Sequence, residues 1–290
     1  MTRVGVLRGG NAFGYDQSLK AGASALKHLA NTHNVLDIFI DKKGTWHIQG
    51  TPVLPHEAAQ RVDVIFNALH SFDKDAHHFL DYHSVPHTGA NSLGLAVINS
   101  RILAKQAFKT NAFKTPFHRE IKPGASAIEI FRTFPMPAIV KYHTRPEVHI
   151  AQTIVDLEKY LKTDEDIILE EYIPGTKVCV HVIENYRDQD IYVLPPVEIH
   201  PAKHVVPSNL AHKIKDELIS LGKKIHEFLS LKHYSKSDFI IHPKRGIYLI
   251  RTSSMPDVTD GSSLVDALHS VGGNVPHFVN HLVDMALEGK

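Results

Sequence analysis

The chain has 290 residues, 43% hydrophobic and 22% charged. These values fit an ordinary globular protein with room for two domains, and exclude a disordered tail, a collagen-like chain and a small disulfide scaffold. Lys plus Arg number 32 against 31 Asp plus Glu, so net charge draws the chain neither to nucleic acid nor to a membrane surface. Cys179 is the single cysteine and cannot form an internal disulfide, which points to a reduced, cytoplasmic setting. The N-terminus reads as a short apolar run ending in glycine rather than a targeting segment, and no run reaches the ~18 apolar residues of a membrane span. The 22 histidines stand out, but most are scattered singly. His77, His78, His83 and His87 are dense enough to collect a metal, yet match no defined ligand spacing.

Taken in order, the chain reads as mixed α/β. Residues 3–7 form a short buried strand, followed by the loop Gly9-Gly10-Asn11-Ala12-Phe13-Gly14. A helix starts near Asp16, its cap, with Leu19, Ala23, Leu26 and Ala30 on one face. Residues 35–40 and 62–69 are strands, and 76–82 a helix, so β-α-β units open the chain and predict a parallel sheet. One helix is expected over 91–108, carrying Leu95, Ile98, Ile102 and Lys105. A strand at 138–141 precedes a helix at 150–161 with Ile154, Leu157 and Leu161 inside. Strands at 167–169 and 177–183 follow, the second with Val178, Val180 and Val182 on one face and Cys179, His181 and Ile183 on the other. Residues 192–199 form a strand interrupted by Pro195-Pro196, and 209–231 a long amphipathic helix. Residues 238–241 and 246–250 form a hairpin, and a last helix begins near Pro276.

Three segments carry candidate chemistry. The strand–glycine loop–helix of residues 3–30 offers backbone N–H groups and a helix dipole to an anion, or is only a tight βα turn. Ile168-Leu169-Glu170-Glu171-Tyr172-Ile173-Pro174-Gly175 presents backbone groups suited to an adenine edge, or is a solvated turn. Asp238 and the stretch around Arg251 sit at adjacent strand ends, where hard cations are held beside phosphates, or they form an ion pair.

The order of these segments, with Val6-Leu7-Arg8-Gly9-Gly10, Asn67-Ala68-Leu69-His70, Val85-Pro86-His87-Thr88-Gly89, Ile139-Val140-Lys141, Leu194-Pro195-Pro196-Val197-Glu198-Ile199 and Met255-Pro256, resembles D-alanine–D-alanine ligases of the ATP-grasp superfamily over nearly the whole chain. The resemblance implies an α/β protein, α+β towards its C-terminus, in three parts: an N-terminal parallel-sheet domain (1–94), a central ATP-grasp subdomain (95–172) and a C-terminal ATP-grasp subdomain (173–290). It implies ATP, Mg2+ and a small amino-acid substrate, no nucleic acid, no membrane, and a homodimer. In this family ATP phosphorylates one D-alanine carboxylate, and the amine of a second D-alanine attacks the acyl phosphate to give a cell-wall precursor. Carried over by position, Lys141 and Arg101 hold phosphates, Arg101 standing where a lysine is usual. Glu170, Glu171, Ile173 and Lys177 fall in the nucleotide-binding segment, Lys177 in place of a ribose-contacting glutamate. Gly14, Tyr15, Ser18 and Ser263 fall in the substrate-binding segments, and His70 matches the substrate-site histidine. Lys236 stands where an arginine supports the tetrahedral intermediate, and Asp238 matches one metal ligand.

The departures concentrate where charge matters. Arg251 replaces the bridging glutamate and Ser253 the ligand asparagine, so a cation stands where a cation is to be bound. Gly14 replaces a glutamate that places the first substrate, and Tyr142-His143-Thr144-Arg145-Pro146-Glu147 replaces a serine- and glycine-rich loop. His200 to Pro207 is too short for the usual flap and offers only Lys203 and His204. Two readings remain: a carboxylate–amine ligase with an altered metal site, and a catalytically silent relative that binds a nucleotide or a partner protein.

Overall fold

The computed structural model describes residues 1–10, 14–143 and 147–289. The run Val4-Gly5-Val6-Leu7 is apolar on both sides, as a central parallel strand must be. It lies in β1 (Arg3–Gly9), where Val4, Val6 and Leu7 are fully buried. There follow α1 (Tyr15–Leu29), β2 (Asn34–Ile40), β3 (Trp46–Ile48), β4 (Thr51–Val53), α2 (Pro55–Gln60), β5 (Val64–Asn67), α3 (Lys74–Tyr82) and α4 (Ser92–Asn99). The sheet order is β4-β3-β2-β1-β5, with β2 and β5 both parallel to β1. The sequence pattern does not anticipate β3, β4 or α2, because three to six residues carry too little periodicity.

Helix α1 buries a different face from the one its spacing predicts. Ser18, Ala21, Gly22, Ala25 and Leu29 are buried, whereas Ala23 and Ala30 are exposed. Close approach to β1 decides this: a Cβ on Gly22 would stand 2.6 Å from Cβ of Arg8, so the small residues must face inward. Nor is Asp16 the cap. It sits in the first turn, and Gly14 takes the N-cap position at φ 92° with no side-chain cap.

The next stretch holds α5 (Arg101–Thr110), β6 (His118–Ile121), α6 (Ala127–Thr133), β7 (Ala138–Tyr142), β8 (Val148–Ala151), α7 (Ile154–Tyr160) and β9 (Ile167–Glu171). They build an antiparallel sheet in the order β6-β9-β7-β8. Its core contains Ile130, Phe134, Val140, Leu157 and Leu169. The single helix expected over 91–108 is two helices. Ser100 is extended, at φ −84° and ψ 107°, and its hydroxyl accepts from the Leu103 N–H to cap α5. The helix expected from 150 starts only at Ile154, since residues 148–151 pair with β7 and Thr153 and Asp156 form a capping box.

The remainder comprises β10 (Thr176–Tyr186), β11 (Gln189–Val193), β12 (Val197–His200), β13 (Lys203–Val205), α8 (His212–Phe228), β14 (Tyr234–His242), β15 (Gly246–Ser253), α9 (Ser263–Ser270) and α10 (Val275–Glu288). The sheet order is β13-β12-β10-β14-β15, with β11 paired to β10. Both faces of β10 are covered, since Val178 through Ile183 are all buried. The chain divides into two compact units. The larger holds residues 1–99, 178–238 and 252–290, and the smaller holds 100–177 and 239–251. No helix among the described residues is long and apolar enough to cross a membrane.

Candidate functional site

In the smaller unit three strongly polar side chains lie where a sheet normally carries apolar ones. Glu170 is on β9, Lys141 on the neighbouring β7, and Lys105 on the buried side of α5. Glu170 is 3% exposed and both its oxygens are engaged: Lys141 Nζ donates to Oε2 at 2.7 Å, and Lys105 Nζ lies 3.1 Å from Oε1. Burial alone would raise the Glu170 carboxyl, but the Lys141 and Lys105 ammonium groups outweigh it and hold it below the usual carboxylate range. Arg101, the first residue of α5, is half-buried, and burial pulls its guanidinium below its ordinary value. The Glu170 charge opposes that shift and the Arg251 charge adds to it, so Arg101, Arg251 and Glu170 share one electrostatic neighbourhood. Sequence reasoning missed the role of Lys105, reading it as one more position on a helix face. A lysine at an inward helical position was the available signal, because such a charge is buried only when paired.

The adenine-type segment follows directly. Glu171 accepts from Arg245 at 2.5 Å, its N–H donates to the Phe117 carbonyl, and the Tyr172 N–H donates to the Pro137 carbonyl. Ile173 is buried and Lys177 is exposed.

The larger unit gathers the other candidates. Gly14 meets His70 so closely that a Cβ would stand 2.4 Å from His70 Cδ2, at a backbone φ of 92°. Together these facts bar any larger residue at position 14, including the glutamate the resemblance would place there. His70 stacks on Phe72 with ring centroids 5.4 Å apart. The Ser18 hydroxyl accepts from the Gly9 N–H at 2.9 Å, tying α1 to the glycine loop. The Tyr15 ring lies under Lys42 Nζ, 4.9 Å from the centroid. Asn11, Ala12 and Phe13 of that loop, and Thr144, Arg145 and Pro146 of the expected serine-loop replacement, lie outside the described residues.

Ser263 belongs to a buried polar chain that sequence reasoning also missed. Its hydroxyl lies 3.2 Å from His181 Nε2, and His181 Nδ1 is 2.8 Å from the Tyr234 hydroxyl. Burial pushes His181 down to about 3, so the ring stays neutral and positions Ser263 without charging. On β14, Lys236 and Asp238 are two residues apart on one face, with Lys236 Nζ 3.3 Å from Asp238 Oδ1. Ser253 Oγ accepts from the Met255 N–H at 3.4 Å.

These residues fit Mg2+ poorly. The expected carboxylate ligand, Asp238, is paired with a lysine, and Arg251 stands where the resemblance expects the second ligand. No group of three His, Cys, Asp or Glu residues able to hold a metal occurs among the described residues, so the histidines at 77, 78, 83 and 87 do not gather one either. His77 accepts from Asn67 Nδ2 and donates to the His70 carbonyl, which accounts for both its nitrogens.

A partly parallel five-stranded sheet, an antiparallel four-stranded sheet and a six-stranded sheet give the chain an ATP-grasp fold, the arrangement its structural matches share. The profile described as the D-ala D-ala ligase C-terminus matches residues 146–284. A D-alanine–D-alanine ligase of Desulforamulus reducens is 25% identical, covering 99% of each chain, and one of Geotalea uraniireducens is 25% identical, covering 98% of this chain and 95% of its own. Among solved structures, the D-alanine–D-alanine ligase from Coxiella burnetii superposes with a TM-score of 0.84 at 17% identity, covering 99% of this chain and 94% of its own. The ligase from Bacillus anthracis complexed with ATP gives 0.81 at 18%, covering 100% and 98%. The chain is similar to D-alanine–D-alanine ligases over nearly its whole length, and its residues 146–284 match the profile of that family's C-terminal part.

Proposed function

We propose that the protein binds ATP and a small amino acid and carries out carboxylate–amine ligation of the D-alanyl-D-alanine type. The observation that supports this most is the Lys141–Glu170–Lys105 cluster. Burying two ammonium groups on one carboxylate is costly for stability alone, and it becomes intelligible where phosphates are to be received. In this reading Lys141 and Arg101 take the phosphates, and Glu170, Glu171, Ile173 and Lys177 border the nucleoside. Tyr15, Ser18, His70 and Ser263 form the amino-acid side, with Gly14 leaving room for the His70 ring. The carboxylate oxygen of one amino acid attacks the γ-phosphorus and ADP leaves. The amine of the second then attacks the acyl carbon and inorganic phosphate leaves. Lys236 stabilises the oxyanion of the tetrahedral intermediate, as a point charge rather than a bidentate fork. No step is assigned to Mg2+, because the ligand set does not fit it.

The three-part division at 94 and 172, a cytoplasmic location and a homodimer belong to the same proposal and rest on the resemblance. Sedimentation of the purified chain tests the dimer. The nucleotide assignment is tested by calorimetry: Lys141→Ala weakens ATP binding by ~1–3 kcal/mol, the range for a charge-assisted contact. Unchanged affinity removes Lys141 from the site.

A further inference from the structure

The buried polar chain that ends on Ser263 has a direction. It joins three elements of the larger unit: His181 lies on β10, Tyr234 opens β14 and Ser263 opens α9. Both ring nitrogens of His181 are engaged. Nδ1 is 2.8 Å from the Tyr234 hydroxyl, and Nε2 is 3.2 Å from Ser263 Oγ and 3.4 Å from Cys179 Sγ. The ring is 1% exposed and burial keeps it neutral, so one nitrogen carries the hydrogen and the other accepts. Tyr234 is as deeply buried, in the apolar core and edge-to-face with Phe278. Among the described residues, His181 is the one hydrogen-bond partner of the Tyr234 hydroxyl.

Two directions are open to such a chain. With the hydrogen on Nδ1, the Tyr234 hydroxyl would accept it, and its own hydrogen would stay buried without an acceptor, at the full desolvation cost of that group. With the hydrogen on Nε2, Tyr234 donates to Nδ1 and Nε2 donates to Ser263 Oγ, with Cys179 Sγ beside it as a weak second acceptor. The hydrogen left over is then that of Ser263, at 9% exposure the least enclosed of the three residues. We infer that Tyr234 and His181 are positioning residues: they fix the imidazole hydrogen on Nε2 and so turn the Ser263 hydroxyl into a donor toward the substrate. The inference rests on the reading of Ser263 as part of the amino-acid side. It specifies which substrate group Ser263 meets: a carboxylate oxygen, which accepts, and not an ammonium, which only donates.

The tautomer is read without any substitution, by nitrogen-15 NMR of the histidine-labelled full chain at neutral pH, with the His181 ring assigned through its backbone. The expected result is a hydrogen on Nε2 and a bare Nδ1. The consequence for the ligand is read by calorimetric titration with D-alanine in the presence of a non-hydrolysable ATP analogue. Ser263→Ala is expected to weaken D-alanine binding roughly tenfold, the scale of one charge-assisted hydrogen bond. Tyr234→Phe is expected to weaken it severalfold in the otherwise unmodified chain and to change nothing in the Ser263→Ala chain, because it acts through that hydroxyl alone. A hydrogen on Nδ1, or a Tyr234→Phe effect of equal size in both backgrounds, overturns the inference and leaves the amino-acid reading standing. D-Alanine that fails to bind the unmodified chain overturns the amino-acid reading, and the inference falls with it.

Discussion

Histidine burial sets how this protein responds to acid. His77, His181 and His233 are held at about 4, 3 and 4, against an ordinary 6.5, chiefly by burial. Their folded values are depressed, so the neutral rings contribute fully at pH above about 6.5, and that contribution is lost as pH falls towards 4. Each pH unit below 6.5 costs about 1.4 kcal/mol per ring until the folded value is reached. The urea midpoint is therefore expected to drop steeply between pH 6.5 and 5, and a flat profile over that window contradicts the assignment. At this scale the sequence singled out Lys141 and Glu170, which the fold pairs. It did not reveal groups whose partner comes from elsewhere in the chain. Nothing local links Lys105 to Glu170, or His181 to Ser263 across 82 residues.

Among the elements, α8 and β10 show how packing fixes what periodicity only outlines. Leu218, Gly222 and Ile225 form the buried face of α8, and a Cβ on Gly222 would stand 2.7 Å from Val180 Cγ1. Gly222→Val therefore forces the helix off the strand and is expected to cost roughly 1–3 kcal/mol, read as a lowered urea midpoint. A midpoint equal to the parent protein would show that the helix tolerates the shift. The apolar spacing of α8 was plain in the sequence because the helix is long and one-sided. The face of α1 was misread for the opposite reason: its contact with β1 is made by Ser18, Ala21, Gly22 and Ala25, and small residues leave little hydrophobic signal. The break at Ser100 was hidden because apolar residues continue on both sides of it, while a serine hydroxyl cap ends one run and starts the next.

For the whole molecule, resemblance carried the fold, whereas the departures carry the prediction about activity. Asp238 is paired with Lys236, and Arg251 stands where the resemblance expects a carboxylate ligand. Magnesium-dependent D-alanyl-D-alanine formation is therefore expected to be slow when followed by phosphate release, and turnover at the 1–10³ s⁻¹ common among enzymes contradicts this. Replacing Arg251→Glu together with Ser253→Asn rebuilds the ligand set and is expected to make ATP binding magnesium-dependent. Turnover stays low in that variant, because the close contact of Gly14 with His70 still bars a glutamate there.

The central claim is that the cluster around Glu170 receives the nucleotide phosphates through Lys141 and Arg101. A crystal structure of the protein with a non-hydrolysable ATP analogue tests it most directly. The account predicts phosphate oxygens within hydrogen-bond distance of Lys141 and Arg101. An analogue bound with its phosphates away from both side chains would contradict it.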